Sequence, residues 1–133
     1  KYKTNTSIFY KHRKRISIQD FANKIDPILN KNKNKKIKIF LSTDEMKYLK
    51  QFKDLYGDKV IHTNCYRSTS GNPIHKDSNY KRHKHRYKLG FEVLVDSLLL
   101  SESDILICRK SNVTNAAILL NYHKKRKVIE LSY

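Results

Sequence analysis

The sequence predicts an α/β fold: a Rossmann-like parallel sheet with helices on both faces. Short apolar runs of strand length alternate with longer segments of helical periodicity, and this alternation is typical of right-handed βαβ units around a parallel sheet. The 133 residues suffice for one compact domain with one core. We therefore expect a single domain over residues 1–133.

The first half of the chain is predicted to contain two helices and two strands. Ser17 begins a helical pattern that places Phe21, Ile25 and Ile28 on one face, and Pro27 leaves the end of this helix undefined. The other predicted elements of this half are a strand at 37–41, a helix at 42–56 and a strand at 59–63.

The second half begins with a long basic segment. Residues 64–88 show no periodicity and carry six Lys or Arg side chains from position 76 onward, so we expect a functional or disordered loop there. Gly90 is predicted to begin a helix, whose apolar stripe is expected to face the core and consists of Phe91, Leu94, Val95, Leu98 and Leu99. The remaining predicted elements are a strand at 104–108, a helix at 112–121 and a strand at 127–131.

The net charge of +17 suggests a protein that binds nucleic acid. The competing interpretation is a set of solvated basic loops, because every basic cluster falls between periodic segments. These clusters lie at 11–15, 30–36, 81–88 and 123–127. In either case we expect nonspecific binding to polyanions at low salt.

Cysteine content and hydropathy bear on the compartment. Cys65 and Cys108 are too few for a disulfide framework or a metal cluster, and the sequence shows no secretory or transmembrane segment. We therefore expect a reducing compartment, with the cytoplasm favoured over a secretory lumen. Because the sequence begins at Lys1 rather than methionine, we also expect a piece of a longer protein.

Polar residues follow two of the predicted strands, where open α/β sheets bind their ligands. Thr43, Asp44 and Glu45 come after the first strand, and a turn over 109–114 follows the third. Both lead into a helix N-terminus, which favours an anion. The turn has two interpretations, a phosphate cradle or an ordinary helix cap.

The loop after the first strand presents the same choice. Ser42 and Glu45 have the spacing of a capping box, whereas a functional interpretation has Asp44 or Glu45 accept hydrogen bonds from a ribose or a base. Asp96 lies near the apolar stripe of its predicted helix and therefore needs a partner. It is expected either to bind a neighbouring group of the chain or to accept from a substrate.

Three stretches together resemble a known family. These are "IKIFLSTDE" (37–45), "YRSTSGNPIH" (66–75) and "KLGFEVLVDSLLLSESDILICRKSNVTNAAILLN" (88–121). They resemble the fucosyltransferase superfamily, which groups α-1,6-fucosyltransferases, nodulation fucosyltransferases and protein O-fucosyltransferases. The resemblance implies the C-terminal half of a GT-B glycosyltransferase, inverting and metal-independent, with no cofactor. The implied donor is GDP-fucose or a related nucleotide sugar, and the implied acceptor is a glycan, a protein or a small molecule.

The resemblance also implies site residues. The positions that match donor-binding residues of the family are Thr43, Asp44, Glu45, Asp96, Ser111, Asn112, Val113 and Thr114. Phe21 matches an aromatic residue close to the donor, and Arg67 and His75 match a pattern in a less characterised branch. The first three are expected to contact the nucleoside, and Asp96 with the 111–114 turn to hold the nucleoside and the diphosphate.

One feature of the family is missing. Its members carry a His-x-Arg segment before the helix that begins here at Ser17, and the matching region near residues 1–7 contains neither His nor Arg. The catalytic base is therefore unassigned, and we expect the chain alone to be incomplete for turnover. Two alternatives remain open: an inactive relative of the family, and a module that binds nucleic acid or another polyanion.

Overall fold

A computed structural model describes residues 16–71, 74 and 82–132. The described part is a mixed α/β fold with four helices and four short strands. The helices are α1 (Ile18–Lys31), α2 (Met46–Tyr56), α3 (His85–Ser101) and α4 (Asn112–Leu120). The strands are β1 (Ile39–Phe40), β2 (Val60–Ile61), β3 (Ile105–Cys108) and β4 (Lys127–Glu130). The α/β class and the alternation of elements agree with the sequence.

The strands pair in parallel, as predicted, but they form two separate two-stranded sheets within the described residues. In the first sheet Ile39 lies opposite Val60, and in the second Ile105 lies opposite Lys127. Each pair is joined through a helix, which is the connection that parallel neighbours require. The single four-stranded sheet expected from the sequence is therefore replaced by two βαβ units.

The first helix follows its sequence signals. The Ser17 hydroxyl accepts from the backbone N–H of Asp20, and the Asp20 carboxylate accepts from the N–H of Ser17, which completes a capping box. The helix passes through Pro27 and continues to Lys31. A proline at this position removes one helical hydrogen bond, and burial of Ala22 and Ile25 on the same helix offsets that loss.

The core joins the two βαβ units. Ile25 of α1, Phe52 of α2 and Val60 of β2 are buried together, and Ile107 of β3 packs against them. The ring of Phe21 meets the ring of Phe52 edge to face, with centroids 5.9 Å apart. Residues from both halves of the chain thus share one apolar cluster.

The third helix differs from its prediction in two ways. It begins at His85, so residues 85–88 of the predicted basic loop are helical. Its expected core stripe is largely exposed, and Phe91, Leu94 and Leu98 keep 59%, 51% and 46% of their surface in solvent. The buried positions of α3 are instead polar, namely His85, Asp96, Ser97 and Ser101.

None of the helices in the described ranges combines the length and apolar character needed to cross a membrane.

Substitution by alanine should change the free energy of unfolding in opposite directions at Gly90 and at Gly57. Gly90 lies within α3 and a Cβ there meets nothing within 4 Å, so Gly90→Ala is expected to raise the free energy of unfolding by about 0.5–1 kcal/mol. Gly57 ends α2 at φ +54°, so Gly57→Ala should lower the free energy of unfolding by about 1 kcal/mol or more. Urea denaturation of both variants measures these changes. Destabilisation by Gly90→Ala would contradict the open space above that residue.

Candidate functional site

The carboxyl ends of β1 and β2 converge on Asp96 of α3. Ser42, two residues beyond β1, donates its hydroxyl proton to Oδ2 of Asp96 at 2.7 Å. Thr63, two residues beyond β2, donates to Oδ1 at 2.6 Å. Asp96 is only 6% exposed, so these charge-assisted bonds compensate for its burial. Asp96 therefore has the partner within the chain that its sequence position requires.

The two bonds determine what the site offers a ligand. A hydroxyl has a single proton, and Ser42 and Thr63 both use theirs on the carboxylate. Their remaining lone pairs act as acceptors, and both side chains are half-buried rather than sealed from solvent. This edge of the sheet is thus suited to a ligand that donates hydrogen bonds, such as a sugar hydroxyl or an amine of a base.

Arg67 lies beside this cluster and is 7% exposed. Its Nη2 donates to the carbonyl of Thr63 at 2.9 Å and its Nη1 to the carbonyl of Cys65 at 3.2 Å. Its buried Nε has no hydrogen-bond partner, and no carboxylate forms an ion pair with it within the described residues. Buried arginines are usually paired with an anion. The guanidinium therefore places a positive charge next to Thr63 that forms no ion pair with a described carboxylate.

The loop after β1 is held by backbone bonds rather than by the predicted capping box. The N–H of Ser68 donates to the carbonyl of Asp44 at 2.7 Å, and the N–H of Met46 donates to the carbonyl of Ser68. The N-cap of α2 is Glu45, not Ser42, and it makes no side-chain cap, while the Ser42 hydroxyl donates to Asp96. The Ser42–Glu45 capping box is thus wrong, and the exposed Asp44 carboxylate remains accessible.

Two other predicted residues of this loop are less accessible. Thr43 and Glu45 are half-buried, and the Thr43 hydroxyl accepts from the backbone N–H of Glu45 at 3.2 Å. Thr43 therefore acts locally, shaping the turn that presents Asp44.

The turn before α4 is a helix cap, one of its two predicted interpretations. Ser111 accepts from the N–H of Thr114, and the Thr114 hydroxyl accepts from the N–H of Ser111 at 2.9 Å. The side-chain hydrogen bonds that Ser111 and Thr114 make among the described residues stay within 108–114. The exposed Asn112 and the half-buried Val113 contribute N–H groups of the first helical turn, which need partners from outside the helix.

A polar cluster that the sequence did not indicate holds the loop after β2 to the start of α3. Arg82 binds Glu92 through two hydrogen bonds of 2.5 and 3.2 Å, and the N–H of Tyr66 donates to the same carboxylate. The guanidinium of Arg82 lies over the ring of Tyr66, and His85 meets that ring edge to face. Arg82 and Tyr66 lie far apart in sequence without shared periodicity, so no local signal marks this cluster.

The remaining candidate residues have less direct links to the cluster around Asp96. Phe21 packs in the core against Phe52, which accounts for an aromatic residue at that position. His75 lies outside the described residues. Burial, together with the nearby Glu130 carboxylate, raises the pKa of the Cys108 thiol, and this keeps the thiol protonated. The described ranges hold no group of three or more side chains suited to a metal ion.

Comparisons of the chain with protein-family models, with curated proteins and with solved structures found no match. The function therefore has to be inferred from the residues and their geometry.

The Arg82–Glu92 pair should make stability depend on pH. Burial alone would raise the pKa of Glu92, but the hydrogen bonds from Arg82 and Tyr66 outweigh it and lower the pKa below its ordinary 4.5. The carboxylate therefore contributes stability above that value and loses it as the pH falls through the folded-state pKa. Glu92→Gln is expected to lower the free energy of unfolding by about 1–2 kcal/mol at pH 7 and by much less near pH 3.

Urea denaturation at both pH values measures the difference. Glu102→Gln is the matched control, because the Glu102 side chain is 70% exposed and its loss should cost less than about 0.5 kcal/mol. If Glu92→Gln lowered the free energy of unfolding by the same amount at both pH values, the variant would have removed packing rather than charge.

Proposed function

We propose that this chain is the nucleotide-sugar-binding domain of an inverting, metal-independent glycosyltransferase of the fucosyltransferase type, and that its donor is GDP-fucose or a close relative. The observation that carries the proposal is the convergence of Ser42 and Thr63 on the buried Asp96, with Arg67, which pairs with no described carboxylate, beside them. Acceptors and a cation thus lie together at the strand ends where α/β domains bind nucleotides.

The acceptor groups suit the nucleoside part of the donor. Ser42 and Thr63 present lone pairs, and the exposed Asp44 carboxylate adds two more acceptor oxygens close by. Ribose hydroxyls and the ring and exocyclic N–H groups of guanine are donors. In this proposal Asp96 acts by positioning the two hydroxyls, because its own oxygens are occupied and buried.

The positive groups suit the diphosphate. Arg67 provides a guanidinium at the Thr63 carbonyl, and the free N–H groups at Asn112 and Val113 provide a helix N-terminus. During transfer, an acceptor hydroxyl attacks the anomeric carbon from the face opposite the nucleotide, the bond to the diphosphate breaks, and the configuration inverts. The role of this chain is to hold the nucleotide and stabilise the negative charge that develops on the departing diphosphate.

Calorimetric titration with GDP, GDP-fucose and UDP near physiological salt tests the donor site. We expect saturable binding that prefers GDP and GDP-fucose, and about a tenfold or greater loss of affinity in Asp96→Asn, since the amide holds the two hydroxyls less strongly. Asp104→Asn is the control, because that side chain is 96% exposed and the residue directly precedes β3. A folded domain that binds none of these nucleotides would overturn the proposal.

Arg67→Gln tests whether Arg67 binds the diphosphate or the nucleoside part of the donor. The variant keeps a polar side chain but removes the positive charge, so the affinity for GDP should fall about tenfold or more while the affinity for guanosine stays the same. Arg86→Gln removes an exposed charge from α3 and should change neither. Equal loss of affinity for GDP and guanosine would show that Arg67 supports the loop and does not act on the phosphates.

Binding to nucleic acid is the second candidate, and the start of α3 provides the observation in its favour. Lys84, Arg86 and Lys88 are exposed there, and Tyr87 between them is 74% exposed, which is the combination that stacks on bases and contacts phosphates. Salt dependence distinguishes the two functions. Affinity for an oligonucleotide should fall steeply between about 50 and 200 mM salt, whereas guanine-selective binding of GDP should fall much less.

A further inference from the structure

An apolar groove of about 520 Å³ runs between α3 and α4 on the outer side of the domain. The residues that line it are Gly90, Val93, Leu94, Ser97, Ala116, Leu119 and Leu120. The three leucines are 49–72% exposed and form a continuous patch, and Leu119 is the most exposed of them at 72%. Contiguous apolar surface of this kind marks an interaction site.

The two helices run side by side in the same direction. The Asn121 side chain, directly after α4, donates to the carbonyl of Ser101 at the end of α3 at 3.4 Å. The C-terminal ends of the two helices are therefore adjacent, and the N-terminal end of α4 lies toward the Gly90 half of α3. A groove bounded by two parallel helices is the shape that accepts a third helix.

Gly90 points to a close approach by that third element. Glycine weakens a helix relative to alanine, and Gly90 does not have the positive φ that would require it. A Cβ at this position would meet nothing within 4 Å, so packing inside the described part of the chain does not require glycine either. Close passage of a partner backbone over Gly90 would account for a glycine here.

The charges beside the groove indicate the chemistry of the partner. Arg86 lies one turn before Gly90 on the same stripe of α3, and Lys110 lies just before the N-terminus of α4. Both are exposed, and neither forms an ion pair within the described ranges. The Gly90 end of the groove is thus cationic. A second copy of this chain would bring the same cations and another net charge of +17, so it is the wrong partner electrostatically.

We infer that the α3–α4 groove binds an amphipathic helix of a different, acidic polypeptide. Its apolar residues, spaced i, i+3 or i+4 and i+7, lie against the leucines that line the groove, and its Asp or Glu residues lie next to Arg86 and Lys110. This inference does not rest on the proposed donor site, because it uses the outward side of α3 and no residue that binds the nucleotide.

Fluorescence anisotropy with three designed peptides of about four helical turns tests it. Two peptides share a leucine stripe and differ in their flanks, which are glutamate in one and lysine in the other. The third has the composition of the glutamate peptide in scrambled order and controls for nonspecific attraction to a basic protein. We expect saturable binding of the glutamate peptide near physiological salt, at least about tenfold tighter than binding of the other two.

Variants connect the binding to the groove. Leu119→Asn and Gly90→Leu alter exposed positions. Each should lower the affinity for the glutamate peptide about tenfold or more, while circular dichroism shows a folded domain. Leu55→Asn is the matched control, since Leu55 is 56% exposed on α2, and it should bind like the unaltered chain. Arg86→Glu should reverse the preference between the glutamate and lysine peptides.

Four results would overturn the inference. The first is failure of the folded domain to bind the glutamate peptide, and the second is equal binding of the ordered and scrambled peptides. The third is a concentration-dependent dimer in sedimentation that Leu119→Asn abolishes, which would assign the groove to a second copy. The fourth is binding to vesicles of anionic lipid that requires Leu119 while the peptides do not bind, which would assign it to a membrane surface.

Discussion

The buried carboxylate of Asp96 holds the two halves of this chain together. Its partners Ser42 and Thr63 lie 54 and 33 residues away, and each follows a different strand of the first sheet. Burying a carboxylate without partners costs several kcal/mol, whereas hydrogen bonds to a charged group are about twice as strong as neutral ones. The two hydroxyls therefore fix the position of α3 relative to β1 and β2, and with it the geometry of every group near that edge.

The same two bonds determine which side of α3 faces outward. At 100° per residue, Leu94 and Leu98 lie almost opposite Asp96, so drawing Asp96 inward turns these leucines to the surface. Full burial of a leucine stabilises by about 1.5–3 kcal/mol, so exposing several of them forfeits roughly as much as the Asp96 bonds contribute. A helix balanced in this way is stable when both sides are covered. This balance is the energetic reason for expecting a partner on the α3–α4 groove.

How much of the fold follows from sequence depends on whether a signal is local. Ser17 was predicted to begin the first helix, and a helix cap was one of the two interpretations of the turn before α4; both serines are caps, which need only residues three apart. The same reasoning failed at Ser42, because the competing partner lies on a distant helix. Periodicity correctly indicated that this segment is a helix but assigned its apolar stripe to the core, since a pattern of side chains does not say which side a distant carboxylate bond will pull inward.

The candidate site shows the same division. Asp96 was identified from its position beside an apolar stripe, yet Thr63, its second partner, lies in a segment without any motif. The charge of Arg67 was visible in the sequence, but its burial without a carboxylate was not, because burial is set by the whole loop from Thr63 to Ser68. Residue type thus indicates which side chains are able to bind a ligand. Only the fold shows which of them remain uncompensated and so are available to a ligand.

The two proposed surfaces belong to one rigid helix. Ser97, which lines the groove, is adjacent to Asp96 of the proposed donor site, so a shift of α3 by a fraction of a turn moves both. A helix in the groove that binds best with α3 in its present orientation would also favour the Asp96 bonds to Ser42 and Thr63. Because linkage is reciprocal, a nucleotide that requires those bonds would strengthen binding of the helix by the same factor. Measuring the peptide affinity with and without GDP therefore tests whether α3 changes its orientation: a change in affinity means that it does, and an equal affinity means that its orientation is fixed.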